Sequence, residues 1–274
     1  MQRDEYTHWR IDVDDRIATL TLNRADQLNS LDAGTLHELR ELSARLAADR
    51  SVWAVVLRPA GDHFSAGMDV SVIGGMAGSE EDAFRANLRD LQDCLDQFEA
   101  LEKPTIAAVR GYCLGGGLIL ALCCDLRIAA EDAIFGLPEV KRSVGVIMGT
   151  QRIVRVTGAG IAKQIILTAE NFSAEEALRF GLVHRVVPAE ALEAAAHKQA
   201  AHFRNLPPRA VGIAKRIVDR GQGLSIRDSQ ALEADSQAEL LDSPDFREAV
   251  DSFFEKRPPR YTGDESTAKR PKYR

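Results

Sequence analysis

Three clusters hold the residues whose types and spacing could do chemistry: Gly61-Asp62-His63-Phe64-Ser65-Ala66-Gly67-Met68-Asp69, Gly111-Tyr112-Cys113-Leu114-Gly115-Gly116-Gly117 and Phe135-Gly136-Leu137-Pro138-Glu139. A glycine run at the entrance of an apolar helix leaves backbone N–H groups unobstructed, and the helix dipole favours negative charge there. Gly115-Gly116-Gly117 is thus a candidate half of an oxyanion hole, set against the commoner use of glycine in close helix–strand turns. A phosphate loop would need G-K-[ST], but Leu118-Ile119 follow Gly117, and neither this loop nor Gly158-Ala159-Gly160 reads G-x-G-x-x-G. Nucleotide hydrolysis and hydride transfer are therefore disfavoured. Ser65 lies in no G-x-S-x-G elbow, so it reads as a backbone element rather than a nucleophile. His8, His37, His63, His184, His197 and His202 lack metal-ligand spacing, so no metal is expected, and only His63 falls near a proposed site, at its mouth. Cys94, Cys113, Cys123 and Cys124 contain no C-x-x-C pair and read as reduced, buried thiols.

The elements that must position these clusters are legible from periodicity. Two β-rich runs, 6–13 and 17–22, flank the turn Asp14-Asp15 as a hairpin. Asp32 caps a helix to residue 48, with Leu36, Leu39, Leu42 and Leu46 on one face. A continuous apolar run at 52–57 has the pattern of a strand covered on both faces, 105–109 reads as another buried strand, and 126–129 as a further strand. Helices are expected at 80–101, after a flexible stretch at 74–79, and at 118–123. The unit of strand, glycine loop and helix occurs twice at a spacing of about fifty residues, which points to parallel strands with helical crossovers. From Thr150 helical patterns dominate, with one strand at 183–187. We divide the chain into a core, 1–200, a helical C-terminal region, 201–257, and a polar tail, 258–274, expected to be poorly ordered.

Composition bounds the function classes. Of 274 residues, 45% are apolar and 28% charged, which excludes a disordered, collagen-like or coiled-coil chain. Lys and Arg number 35 against 41 Asp and Glu, a net charge of −6, so no global basic field favours nucleic acid or an anionic membrane. With no signal-peptide core and no long apolar run, a soluble, cytoplasmic protein is expected.

Taken in order, further segments join the three clusters: Asn23-Arg24 with Asn29-Ser30-Leu31, Lys103-Pro104 before a strand, Cys124-Asp125-Leu126-Arg127-Ile128-Ala129, Gly149-Thr150-Gln151-Arg152 and Gly181-Leu182-Val183. The ordered set, spanning residues 5–257, resembles the crotonase (enoyl-CoA hydratase/isomerase) family. The resemblance implies an α/β spiral of repeated ββα units with a helical C-terminal region, assembled as homotrimers or homohexamers. It implies an acyl coenzyme A thioester as substrate and no separate cofactor. It assigns the thioester-oxygen donors to the N–H groups of Met68 and Gly116. Ala66 and Asp69 are candidate coenzyme A contacts, with Asp69 read first as capping or orienting the segment that follows it. Phe253-Phe254-Glu255-Lys256 matches the family's F-x-E-K, so Phe253 and Lys256 would reach the ADP portion, sometimes of a neighbouring subunit. The alternative is an amphipathic helix whose lysine faces water.

The carboxylates select the reaction. Hydratases of the family carry a glutamate two residues beyond the G-G-G run, where this chain has Ile119, and another at the position of Glu139. A single carboxylate can take an α or γ proton and return it across the allylic system. The leading expectation is therefore a 3-enoyl to 2-enoyl double-bond isomerase using Glu139. Hydration by one glutamate, as in relatives resembling hydroxycinnamoyl-CoA hydratase-lyases, is the alternative, and a non-catalytic acyl-CoA binding protein is a third. No acid stands at Ile147, where dienoyl-CoA isomerases place an aspartate. The stretch 140–148 is shorter than in common hydratases and lacks their Pro-Gly-Ala-Gly run. Its Lys141 and Arg142 replace apolar residues and read as solvated, with phosphate contact the alternative.

Overall fold

The computed structural model describes residues 6–75 and 77–264, so Met76 of the expected flexible stretch and 265–274 of the expected tail lie outside the described residues. The hairpin forms as β1 (Trp9–Asp14) and β2 (Ile17–Leu22), paired antiparallel with Trp9 opposite Leu22. Asp32 accepts from the Thr35 amide and caps α1 (Ala33–Ala48), whose leucines at helical spacing are all buried. Then follow β3 (Ala54–Pro59), a short helix α2 (Val70–Gly75) whose last two residues fall in the expected flexible stretch, and α3 (Glu81–Glu99).

From here each turn of the chain contributes one strand to each of two sheets and then a helix. The first such turn is β4 (Thr105–Val109), β5 (Tyr112–Leu114) and α4 (Gly116–Leu122). The second is β6 (Leu126–Ala130), β7 (Ile134–Gly136) and α5 (Thr150–Thr168). Next come β8 (Phe172–Ser173), α6 (Ala174–Arg179), β9 (Arg185–Val187) and α7 (Leu192–His202). The larger sheet runs β1-β2-β3-β4-β6-β9, parallel from β2 onward, and the smaller runs β5-β7-β8. This is the α/β spiral expected.

Strand β4 shows why its residues read as a buried strand. Ala107 and Val109 point into the main core beneath α1, α3 and α4, while Ile106 and Ala108 point into a second core beneath α7. All four cysteines are buried and unpaired. Three more helices, α8 (Pro208–Gly221), α9 (Ile226–Ala238) and α10 (Pro244–Glu255), complete the described chain. Residues 258–264, expected to be loose, are fastened to α10. The Asp245 carboxylate accepts from the Thr262 and Gly263 amides at 2.8 and 3.0 Å, and Glu248 accepts from Arg260 at 2.7 Å. No helix among the described residues is long and apolar enough to cross a membrane.

Candidate active site

Successive turns of the spiral bring the three sequence clusters side by side. The Ser65 amide donates to Tyr112 O, the Leu114 amide to Ser65 O, and the Gly115 amide to Gly136 O at 2.9 Å. Met68 is held on its other flank, where the Leu31 amide donates to Gly67 O and the Asp69 amide to Leu31 O, both at 2.8 Å. In a parallel bridge this alternation turns the Met68 N–H away from Leu31. Among the described residues that N–H has no backbone acceptor. The Met68 nitrogen lies 3.4 Å from the point a Cβ on Gly116 would occupy, so the Met68 and Gly116 amides are near neighbours. Gly116 opens α4, where the first N–H groups of a helix have no partner inside it.

Two glycines make the approach feasible. Gly67 has φ +97°, and a Cβ there would sit 2.8 Å from Leu114 O and 3.3 Å from Gly116 N. Gly115 has φ +51°, and a Cβ there would sit 3.1 Å from Oε1 of Glu139. A side chain at either position would close the cleft as well as strain the backbone. Ser65, fully buried, accepts the Gly67 amide on its hydroxyl at 3.1 Å, which matches its reading as a backbone element.

Glu139 opens a single 3₁₀ turn, Glu139–Arg142, delivered by β7 through Pro138. Its Oε2 is buried and has no hydrogen-bond partner among the described residues. Burial pushes its carboxyl above the usual glutamate range, and its own backbone amide and then the charge of Arg142 draw it partly back. Together Met68, Gly116 and Glu139 line a cavity of about 790 Å³ between α3, the α4 entrance and residues 144–148. Such a pair of amides can stabilise an oxygen gaining negative charge, and an unpartnered, proton-hungry carboxylate beside it can move a proton.

The other expected site residues divide. Ala66 lines the cavity and donates its amide to Leu28 O. Asp69 also lines it, but its carboxylate is spent on the chain: Oδ1 accepts the Ser71 hydroxyl and amide, and Oδ2 accepts the Ser30 hydroxyl. Those bonds hold its pKa below the usual carboxylate value. His63, expected near the mouth, is not part of the cavity wall; its Nδ1 accepts the Tyr112 amide and its ring stacks on Tyr112. Phe253 and Lys256 sit at the end of α10, outside the cavity wall, with Phe253 78% exposed. Ile119 does reach the cavity and is 1% exposed. Its side chain fills the space over Gly149, where a Cβ would lie 2.6 Å from Ile119 Cγ1.

Two contributors had no signal in the sequence reading. Arg142, read there as solvated with phosphate contact the alternative, is exposed and also lines the cavity, whereas Val140 and Lys141 do not line it. His37 also lines it, paired with Asp90 at 2.6 Å. The turn geometry, in the one case, and the α1–α3 packing, in the other, set these residues at the cavity wall while leaving Arg142 exposed and His37 partly exposed.

The enoyl-CoA hydratase/isomerase family matches residues 12–264. A short-chain-enoyl-CoA hydratase of Clostridium acetobutylicum is 39% identical over 246 residues, covering 88% of this chain and 92% of the relative. A crotonyl-CoA hydratase of Syntrophomonas wolfei is 36% identical over 256 residues, covering 92% and 96%. The crystal structure of an enoyl-CoA hydratase from Bacillus anthracis superposes with a TM-score of 0.87 at 34% identity, over 94% of this chain and 100% of that one. With the amide pair, the glutamate and the spiral fold in place, the chain belongs to the crotonase, or enoyl-CoA hydratase/isomerase, family of enzymes.

Proposed function

We propose that this enzyme adds water across the double bond of a 2-enoyl coenzyme A thioester, with Glu139 as its one acid–base group. The carrying observation is the buried, unpartnered Oε2 of Glu139 beside the Met68 and Gly116 amides. The hydratase names of the relatives support hydration over the double-bond shift that the lone glutamate first suggested.

The thioester oxygen accepts from both amides, which polarises the conjugated double bond. Water attacks the β-carbon while the Glu139 carboxylate takes one of its protons. The electron pair moves onto the thioester oxygen as an enolate. Glu139, now protonated, gives that proton to the α-carbon and returns to its starting state. One hydroxyl and one hydrogen have been added, both from the same water and on the same face, because one carboxyl serves both steps. A raised proton affinity suits this return to carbon. The coenzyme A portion extends past Ala66 and Asp69. In a trimer or hexamer, Phe253 and Lys256 of one subunit would meet the ADP portion held by its neighbour.

A specific observation keeps the isomerase as the second reading. Ile119, locked against Gly149, offers no second acid to hold a water. Incubating the protein with 2-enoyl-CoA and 3-enoyl-CoA and following products by mass spectrometry separates the two. Gain of one water from the 2-enoyl substrate supports hydration. Conversion of the 3-enoyl substrate at unchanged mass, with no water added to either, overturns it.

A further inference from the structure

The cavity carries a cation that the hydration chemistry does not use. Arg142, an exposed residue, lines the wall with Glu139, and among the described residues its guanidinium makes no ion pair or hydrogen bond. The other charged groups of the wall are engaged. Asp69 is held by Ser30 and Ser71, with Arg24 at 3.7 Å. Asp90 is held by Arg40 at 2.7 Å and by His37 at 2.6 Å. Glu139 is the base.

The position of Arg142 follows from its turn. In a 3₁₀ helix residues i and i+3 eclipse, so Glu139 and Arg142 project from the same side, about 6 Å apart along the axis. Val140 and Lys141, one and two places on, leave the cavity, as that period requires. The guanidinium is near enough to bear on Glu139 electrostatically without pairing to it. Glu139 must face the α- and β-carbons of the acyl group, so Arg142 stands beside the acyl chain just beyond them. The same cavity wall carries the apolar Val144, Val146 and Leu91. Arg142 is exposed, so a plain hydrocarbon chain would leave the guanidinium, with five donors and a fixed charge, only water as its partner. A carboxylate would meet it as a two-pronged, charge-assisted pair.

We infer that Arg142 reads a carboxylate on the acyl group, and that the substrate class is the coenzyme A thioester of a short unsaturated diacid. The inference rests on the hydration reading for its chemistry but not for its binding test. Glutaryl-CoA and butyryl-CoA differ by one carboxyl group and have no double bond to react. Calorimetric titration of the wild type is expected to show glutaryl-CoA binding at least tenfold tighter. Arg142→Leu should erase that preference and Arg142→Lys should keep part of it. For turnover, the ratio of kcat/KM for glutaconyl-CoA to that for crotonyl-CoA should fall at least tenfold in Arg142→Leu. Equal or weaker binding of glutaryl-CoA by the wild type overturns the inference. So does an Arg142→Leu variant that loses affinity for both thioesters and for free coenzyme A alike, since that would place the guanidinium on a phosphate. If neither glutaconyl-CoA nor crotonyl-CoA gains water while the binding preference stands, the hydration reading fails and the recognition of a diacid survives.

Discussion

A single carboxylate concentrates the chemistry of this site, and its burial sets both its use and its cost. Because burial raises the folded-state pKa of Glu139, the native protein holds this proton to higher pH than the unfolded chain does. Stability from this group therefore falls as pH rises from the ordinary glutamate pKa of 4.5 through the raised one, and the unpartnered carboxylate is a burden at neutral pH. Glu139→Gln is expected to cut turnover about 10²–10⁴-fold with little change in thioester affinity. The same variant should raise stability by about 1 kcal/mol at neutral pH, a gain that thermal melts would show disappearing on acidification. Water activation needs the ionised form, so kcat/KM should fall on the acid side at a pH above that of a solvated glutamate. Removing the Arg142 cation in Arg142→Leu should push that limb higher still; a limb that stays put or moves down would remove Arg142 from the neighbourhood of the base. Of these residue-level features, Glu139 and the two amides were legible through the ordered motifs. The place of Arg142 on the cavity wall was not, since in sequence it is one of two adjacent cations and only a three-residue period separates the one that lines the cavity from the one that does not.

Elements, rather than residues, bring the motifs into register. Asn29, fully buried, donates to Ala60 O and His63 O at 2.9 and 2.7 Å and accepts from the Arg24 amide at 2.9 Å. It thereby ties the loop after β2 to the loop that carries Met68. Asn29→Ala leaves these groups unpaired and is expected to cost about 3 kcal/mol, read as a drop in Tm of roughly 6–12 °C. The entrance of α5 is coupled to α4 in a similar way, because Gly149 leaves its space to Ile119. Gly149→Ala should therefore overpack that junction by about 1–3 kcal/mol. Ile119→Glu would bring a carboxyl into the same tight space, so a drop in soluble, folded protein, rather than faster hydration, is the expected result. The main strands and helices were readable because burial on both faces, or on one stripe, leaves a pattern over five or more residues. The small sheet was not: β5, β7 and β8 have three, three and two residues, and Tyr112 and Ile134 are partly exposed, so no period could accumulate. The segment that reads as a glycine loop contains β5 for the same reason.

At the level of the whole molecule, the site is assembled from three stretches of chain that meet only because consecutive turns of the spiral stack. The second sheet aligns residues 65–68, 112–116 and 134–139, while the larger sheet sets the spacing of the turns. At the end of α10, Phe253 and Phe254 are more than three-quarters exposed, a surface that the proposed assembly would cover. In the proposed trimer or hexamer, Phe253→Ala should weaken thioester binding in the intact assembly more than it alters the fold of a subunit, as titration and circular dichroism would separate. That the proposed oxygen-binding N–H groups belong to the backbone has a consequence for how this enzyme can change by inheritance. A codon change at Met68 swaps a side chain and keeps the amide, whereas one at Gly67 or Gly115 closes the cleft. A saturation library selected for activity should therefore show broad acceptance at 68 and near-invariance at 67 and 115. New substrate preferences are then reachable through the walls of the cavity, Arg142 among them, while the oxygen-binding pair passes unaltered from one descendant enzyme to the next.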